Sequence, residues 1–236
     1  MPKRNEADVF EKAGQMIKRG ILLSVPFLIL IALLSVYGFL TIAEGVQIPI
    51  HFNIKGEVDA TADKSTYLLG MPALAFLLTI GFSLLPRLDP RKQNLQKSKG
   101  LYYAAWFGAL SIITIIHGML TFTAVTNAAP DMRWIVLVTA FLIIIVGNFM
   151  AKSRSNWFLG LRTPWTLTSE HAWIVANRLT GWSMVLTGLM SILSGYWQSP
   201  QTGIMTLIIG IIVSALAGAI ISFFAWRNDP DKKQAV

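Results

Sequence analysis

The chain has 236 residues, of which 54% are hydrophobic and only 14% charged, with a formal net charge of +8. A soluble domain of this length cannot bury so large an apolar fraction, so composition points to a membrane protein before any motif is considered. No cysteine is present, which excludes a disulfide framework, a thiolate nucleophile and a zinc-thiolate site.

Residues 1–19 are polar and basic, with Val9, Phe10, Ala13 and Ile17 at helical spacing, and they predict a short helix lying on the membrane surface. From Gly20 to Ala43 runs an apolar stretch long enough to span the hydrocarbon. Thr41-Ile42-Ala43 loosely resembles a cleavage site, but the apolar core is longer than that of a secretion signal, so it reads as an uncleaved first span. Further runs at Tyr67–Leu85, Leu101–Thr126, Trp134–Ala151, Ala172–Gly195 and Thr202–Trp226 complete six spans. Pro26 and Pro72 fall near the starts of theirs, where proline is tolerated.

Basic residues orient these spans. One side collects Lys3, Arg4, Lys12, Lys18, Arg19, Arg87, Arg91, Lys92, Lys97, Lys99, Lys152, Arg154, Arg162, Arg227, Lys232 and Lys233, and the other only Lys55, Lys64 and Arg133. Sixteen against three predicts both termini in the cytoplasm. The basic charge is then mostly topology, and no direct nucleic-acid role is needed. The fold reading is all-α and polytopic. Its boundaries are a cytoplasmic surface helix at 1–19, two spans with their external loop at 20–100, a third span and short loop at 101–133, a three-span module at 134–226 and a cytoplasmic tail at 227–236.

The first external loop carries His51, Phe52, Asn53, Gly56, Glu57 and Asp59. Asn53 and Gly56 suit a tight turn, with Gly56 free to take positive φ. With Glu44 and Asp63, the carboxylates make this the acidic face of the molecule, either attracting a basic part of an external peptide or serving as a solvated connector. His51, Glu57 and Asp59 have metal-donor chemistry but not the spacing of a metal site.

Inside the spans the ionisable residues are His117, with Thr114 and Thr121 on its side of the helix, and Arg178, two turns into its span and able to snorkel back to the cytoplasmic surface. No carboxylate lies in a span to pair with His117, which favours a neutral imidazole hydrogen-bonded to a neighbouring helix over a proton relay. Gly181, Gly188 and Gly195 recur every seven residues, beside Thr180, Thr187 and Ser194, and Gly210, Ser214, Gly218 and Ser222 recur every four. Such stripes let helices approach closely. No hydrolase, phosphate-binding or metalloprotease motif occurs, so the chain reads as a non-enzyme with no cofactor. Ser169 or Thr168 is placed to cap the fifth span, with Glu170 in its first turn.

The loop from Asn156 to Leu167 concentrates the remaining chemistry. Gly160 permits close backbone approach, Pro164 fixes its own φ and biases Thr163 toward extended geometry, and Trp157 and Trp165 bracket Arg162 at headgroup level. With Gly147-Asn148-Phe149-Met150 before it and Ser169 to Trp173, Asn177 and Arg178 after it, this stretch, roughly 147–188, resembles the SdpI family of bacterial membrane proteins. The run Pro49-Ile50-His51-Phe52-Asn53, with Gly56 and Asp59, resembles a small domain that often precedes the SdpI module, here over roughly 47–96.

The resemblance implies immunity against a secreted, membrane-active peptide toxin in a bacterial plasma membrane, with membrane lipid and the toxin as partners. It also implies a signalling arm that holds a cytoplasmic transcriptional repressor, for which Asn156, Gly160, Arg162, Thr163, Pro164, Trp165 and Arg178 would form the docking surface. The competing reading is a small-solute transporter or membrane enzyme in which His117, Arg162 and Arg178 line a cavity.

Overall fold

The computed structural model describes residues 6–53, 56–128 and 130–231. Lys3, Arg4, Lys55, Lys232 and Lys233 of the charge count, and most of the tail, lie outside these residues. The elements are α1 (Glu6–Thr41), β1 (Gln47–Phe52), β2 (Val58–Asp63), α2 (Lys64–Leu88), α3 (Lys92–Lys97), α4 (Lys99–Thr126), α5 (Met132–Met150), α6 (Pro164–Thr168), α7 (Glu170–Trp197) and α8 (Pro200–Arg227).

The amphipathic start and the first span are one helix. α1 runs unbroken through Arg19 and Gly20, because nothing there breaks the backbone ladder. Gly20 is also where α1 presses on α4: a Cβ at that position would meet the Trp106 ring at 2.1 Å. Pro26 therefore lies in the interior of α1 and not at its start.

Five helices are long and apolar enough to cross a membrane among the described residues: Asp8–Thr41, Lys64–Leu88, Lys99–Thr126, Met132–Met150 and Pro200–Arg227. Their outer faces expose Leu22, Leu33, Leu77, Phe141, Ile212 and Leu216, a surface compatible only with an apolar solvent. α7 matches them in length, with 28 residues, but carries more polar side chains.

The helices pack as two trios, α1 with α2 and α4, and α5 with α7 and α8, joined along α4 and α5. In the first trio His117 is fully buried. Its Nε2 lies 2.9 Å from the Ser35 hydroxyl of α1 and its Nδ1 3.2 Å from the Tyr67 hydroxyl of α2. A neutral imidazole is satisfied by these two groups, and interhelical bonds of this kind are worth about 0.6–2 kcal/mol each in a membrane. Thr114 instead bonds its own helix at Leu110 O, 2.7 Å away.

In the second trio the small-residue stripes have distinct partners. The glycines of α7 face α5: Cβ atoms built at Gly181 and Gly188 would come within 2.4 Å of Gly147 O and 2.8 Å of Ala140 O. The threonines of α7 face α8, where Gly210 and Gly218 lie against Thr187 and Thr180. Ser191 donates to Gly203 O at 2.8 Å and Ser194 pairs with Thr206 at 3.0 Å. α7 is the middle helix of its trio: its glycines let α5 close in on one flank, and its hydroxyls bond α8 on the other. That is why its composition is less apolar than that of the other long helices.

The acidic connector is a β-hairpin. β1 and β2 pair antiparallel from Gln47 with Asp63 to Phe52 with Val58, with irregularities around His51. Asn53 N bonds Glu57 O at 2.9 Å, Gly56 takes φ +81°, and Asn53 Nδ2 donates to the Glu57 carboxylate at 2.9 Å. At the hairpin's foot Asp63 caps α2, accepting from the Ser65 hydroxyl and from the Thr66 hydroxyl and amide at 2.5, 2.6 and 2.9 Å. These bonds, the Ser65 hydroxyl first, hold its carboxyl well below the usual carboxylate range. Lys64 reaches the opposite way, donating to Ile42 O at the end of α1 and to Glu44 at 2.6 and 2.8 Å.

Candidate functional site: a hydrogen-bonded loop at one end and an apolar cleft at the other

The loop after α5 is built on two buried amides. Asn156 accepts from the backbone N–H groups of Phe158 and Leu159 at 3.0 and 2.8 Å and donates to Arg154 O and Leu159 O at 2.9 and 3.0 Å. Asn177, on α7, accepts from Leu161 N at 2.7 Å and donates to Leu161 O and Trp173 O at 3.3 and 3.1 Å. Between them Gly160 takes φ +104°, and a Cβ there would meet Asn177 Oδ1 at 2.6 Å and the Trp173 ring at 3.1 Å. The close approach expected of Gly160 is real, but it is to side chains of α7 and not to backbone.

Thr163 then starts α6. It accepts from Thr166 N at 3.1 Å while the Thr166 hydroxyl accepts from Thr163 N at 2.8 Å, with Pro164 in the first turn. Thr163 also pairs with Ser222 of α8 at 3.0 Å. Trp165 packs edge-on against Phe223, centroids 5.2 Å apart. Ser169 caps α7, accepting from Ala172 N at 2.9 Å, and its hydroxyl donates to Asp229 beyond α8. Arg162 is exposed, and its guanidinium turns back to the Trp157 carbonyl. Arg178 is exposed too, while its neighbour Asn177 holds the loop. His117 is buried in the other trio, so the structure does not gather His117, Arg162 and Arg178 into one cavity.

The loop is also tied to the first trio by residues counted in the sequence only for their charge, or not at all. Asp89, fully buried just after α2, accepts from Trp157 N at 3.1 Å and from Arg91 N at 2.6 Å. Arg91 donates to the Ser155 hydroxyl and, at 2.6 Å, to Leu167 O. Asn94 donates to Ser155 O at 2.8 Å, and Arg154 N donates to the Ser98 hydroxyl at 2.8 Å. The Asp89-Pro90 pair was a legible turn signal, but nothing local shows that the turn grips a loop more than 60 residues away.

At the opposite end the hairpin lies across both trios. Its turn reaches α8, where a Cβ at Gly56 would stand 3.0 Å from Gln201 Nε2. Beneath it opens an apolar cleft of about 360 Å³, with Ile50, His51 and Phe52 as its roof, Ile116 and Leu120 of α4 on one side and Ile204 and Ile208 of α8 on the other. His51 Nδ1 lies 2.5 Å from the Asp59 carboxylate. Among the described residues no group of three or more His, Asp or Glu converges as a metal site would.

Compared with known proteins, residues 152–223 match the SdpI/YfhL protein family and residues 27–76 match a domain of unknown function, DUF1648. The first match reaches past the 147–188 stretch into α8. The second begins inside α1 and ends in α2, and so takes in the hairpin and the helices that carry it. Over 136 residues, 58% of this chain, the sequence is 25% identical to the Immunity protein SdpI of Bacillus subtilis (strain 168), and the match covers 65% of that protein's length. No solved structure matches. The chain is thus a multi-pass cell membrane protein in which a segment similar to the SdpI/YfhL family, with its loop held by Asn156 and Asn177, follows a segment similar to DUF1648.

Proposed function

We propose that this protein confers immunity, protecting the membrane in which it sits against a secreted, membrane-active peptide captured at the hairpin end. The observation that carries this reading is the apolar cleft beneath the hairpin. Its roof is Ile50, His51 and Phe52 of β1, and the carboxylates of Asp59, bonded to His51, and Glu57, bonded to Asn53, adjoin that roof, so that an amphipathic peptide has acidic groups beside apolar walls. The name of the Bacillus subtilis relative supports the same reading. In this proposal α7 crosses the membrane as a sixth span, both termini are cytoplasmic, and the Arg162 face of the loop receives a cytoplasmic repressor. The sixteen-to-three charge split supports that orientation. A reporter fused after Val236 is expected to be active only in its cytoplasmic form, and an external signal would overturn the topology.

The protective role is tested by survival of a toxin-sensitive bacterium expressing the chain and exposed to a secreted killing peptide of the Sdp type. Glu57→Gln with Asp59→Asn removes two charges yet keeps hydrogen-bonding groups at Asn53 and His51, and is expected to raise sensitivity at unchanged expression. Arg162→Ala is expected to leave the fold intact and weaken protection, since among the described residues its guanidinium bonds the Trp157 carbonyl on an exposed face. Full protection by all of these variants would remove both ends of the molecule from the mechanism.

A further inference from the structure

A second cleft, of about 340 Å³, opens where α1 passes α3 and α4, at the same end of the bundle as the Asn156 to Leu167 loop. α1 contributes Lys12 and Arg19, seven residues apart on one face, and Lys99 opens α4 opposite them. Gln96 and Tyr103 complete the wall. Its back is fixed: the Tyr103 hydroxyl donates to Met16 O at 3.1 Å, Gln96 donates to Val9 O at 2.8 Å, and one turn deeper Gly20 is pressed on Trp106.

The charges are graded along α1. Asp8 pairs with Lys12 at 2.7 Å and Glu11 accepts from Gln15 at 3.1 Å, both on the turns farther from the apolar run. Arg19 and Lys99 lie at the opposite edge, beside Gly20 and Leu101, where the apolar runs begin. Below the cleft the wall continues as a half-buried aromatic strip, with Tyr103 stacked on Phe107 at 5.5 Å and Phe107 on Phe27 at 6.3 Å between ring centroids. Two cations at the depth of the phosphate plane, above an aromatic strip running into the hydrocarbon, complement a ligand that is anionic at one end and a hydrocarbon chain at the other.

We propose that this cleft seats the phosphodiester headgroup of an anionic phospholipid against Arg19 and Lys99, with an acyl chain laid along Tyr103, Phe107 and Phe27. The site needs only the membrane setting and stands independently of the immunity reading.

The test uses the full chain purified in a neutral detergent and titrated with phosphatidylglycerol, phosphatidylcholine or inorganic phosphate. Thermal unfolding and lipid retention in native mass spectrometry are the readouts. Phosphatidylglycerol is expected to stay bound and raise the midpoint, with phosphatidylcholine doing neither. Arg19→Gln with Lys99→Gln is expected to weaken phosphatidylglycerol about thirtyfold, and each single change about fivefold, which keeps the test open should the double variant unfold. Arg87→Gln with Lys152→Gln removes the same charge at the same end but outside the cleft, and is expected to bind as the wild type does. Equal loss in that control, equal binding of phosphatidylcholine, or the same shift from inorganic phosphate alone would each overturn the proposal, the last by making the site one for a small anion.

Discussion

Gly181→Leu is expected to abolish the folded protein. Even a Cβ at this position would stand 2.4 Å from Gly147 O and 2.7 Å from Ala151 N, both backbone atoms of α5 and its cap. Backbone cannot rotate away as a flexible side chain can, so α5 and α7 must separate along the contact that organises their trio. Overpacking in a tight core costs about 1–3 kcal/mol and occasionally more, and a four-carbon side chain at a backbone contact belongs above that range. Gly70→Leu is the matched control, because nothing lies within 4 Å of a Cβ there. Monodisperse yield in detergent should collapse for the first variant and hold for the second. Equal yields would mean that the crossing of α5 and α7 is wrongly placed.

Asn177→Leu is the second large effect. Leucine has nearly the shape of asparagine but neither accepts nor donates, so Leu161 N–H loses the partner it has at 2.7 Å. Leu161 C=O keeps the Thr166 hydroxyl at 3.1 Å, so one backbone group is orphaned and not two. An unsatisfied buried donor costs about 1–3 kcal/mol, and the amide bond to Trp173 O is lost as well. Thermal unfolding is expected to shift down, with proteolysis appearing first between Asn156 and Thr163. Arg178→Leu, one residue along but exposed, is expected to leave both readouts unchanged. A protease-resistant loop in Asn177→Leu would show that Asn156 and the α6 cap suffice to hold it.

These two residues also mark how far the sequence could be read. The long helices were legible from length and apolarity, since each satisfies its own backbone. The seven-residue glycine stripe announced close packing, although not that α5 would be its partner. In the hairpin, β1 has Ile48, Ile50 and Phe52 in alternation, whereas β2 reads Val-Asp-Ala-Thr-Ala-Asp with only two alanines between its polar residues. Both strands alternate, but after Val58 the apolar positions of β2 are alanines, which are depleted in strands and bury little surface, so a connector was the natural reading. In the loop, Gly160, Thr163 and Pro164 act through backbone geometry and could be recognised locally. Arg178 drew attention as a charge within a span, but the amide beside it does the holding. Asp89 and Arg91 work over sequence separations of 64 to 76 residues, where only the folded arrangement brings donor to acceptor.

The two trios are fastened differently at their two ends, and in a bilayer that difference sets how readily each end parts. At the Asp89 and Arg91 end the bonds between trios are charge-assisted hydrogen bonds, and parting them strands buried polar groups. At the hairpin end the facing surfaces are Ile116 and Leu120 against Ile204 and Ile208. Lipid tails are as apolar as those side chains and can replace them at little cost. The contacts at the hairpin end are therefore the cheaper of the two sets to part. A peptide inserted beneath the hairpin would displace apolar contacts there and leave the hydrogen bonds at the Asn156 to Leu167 loop in place.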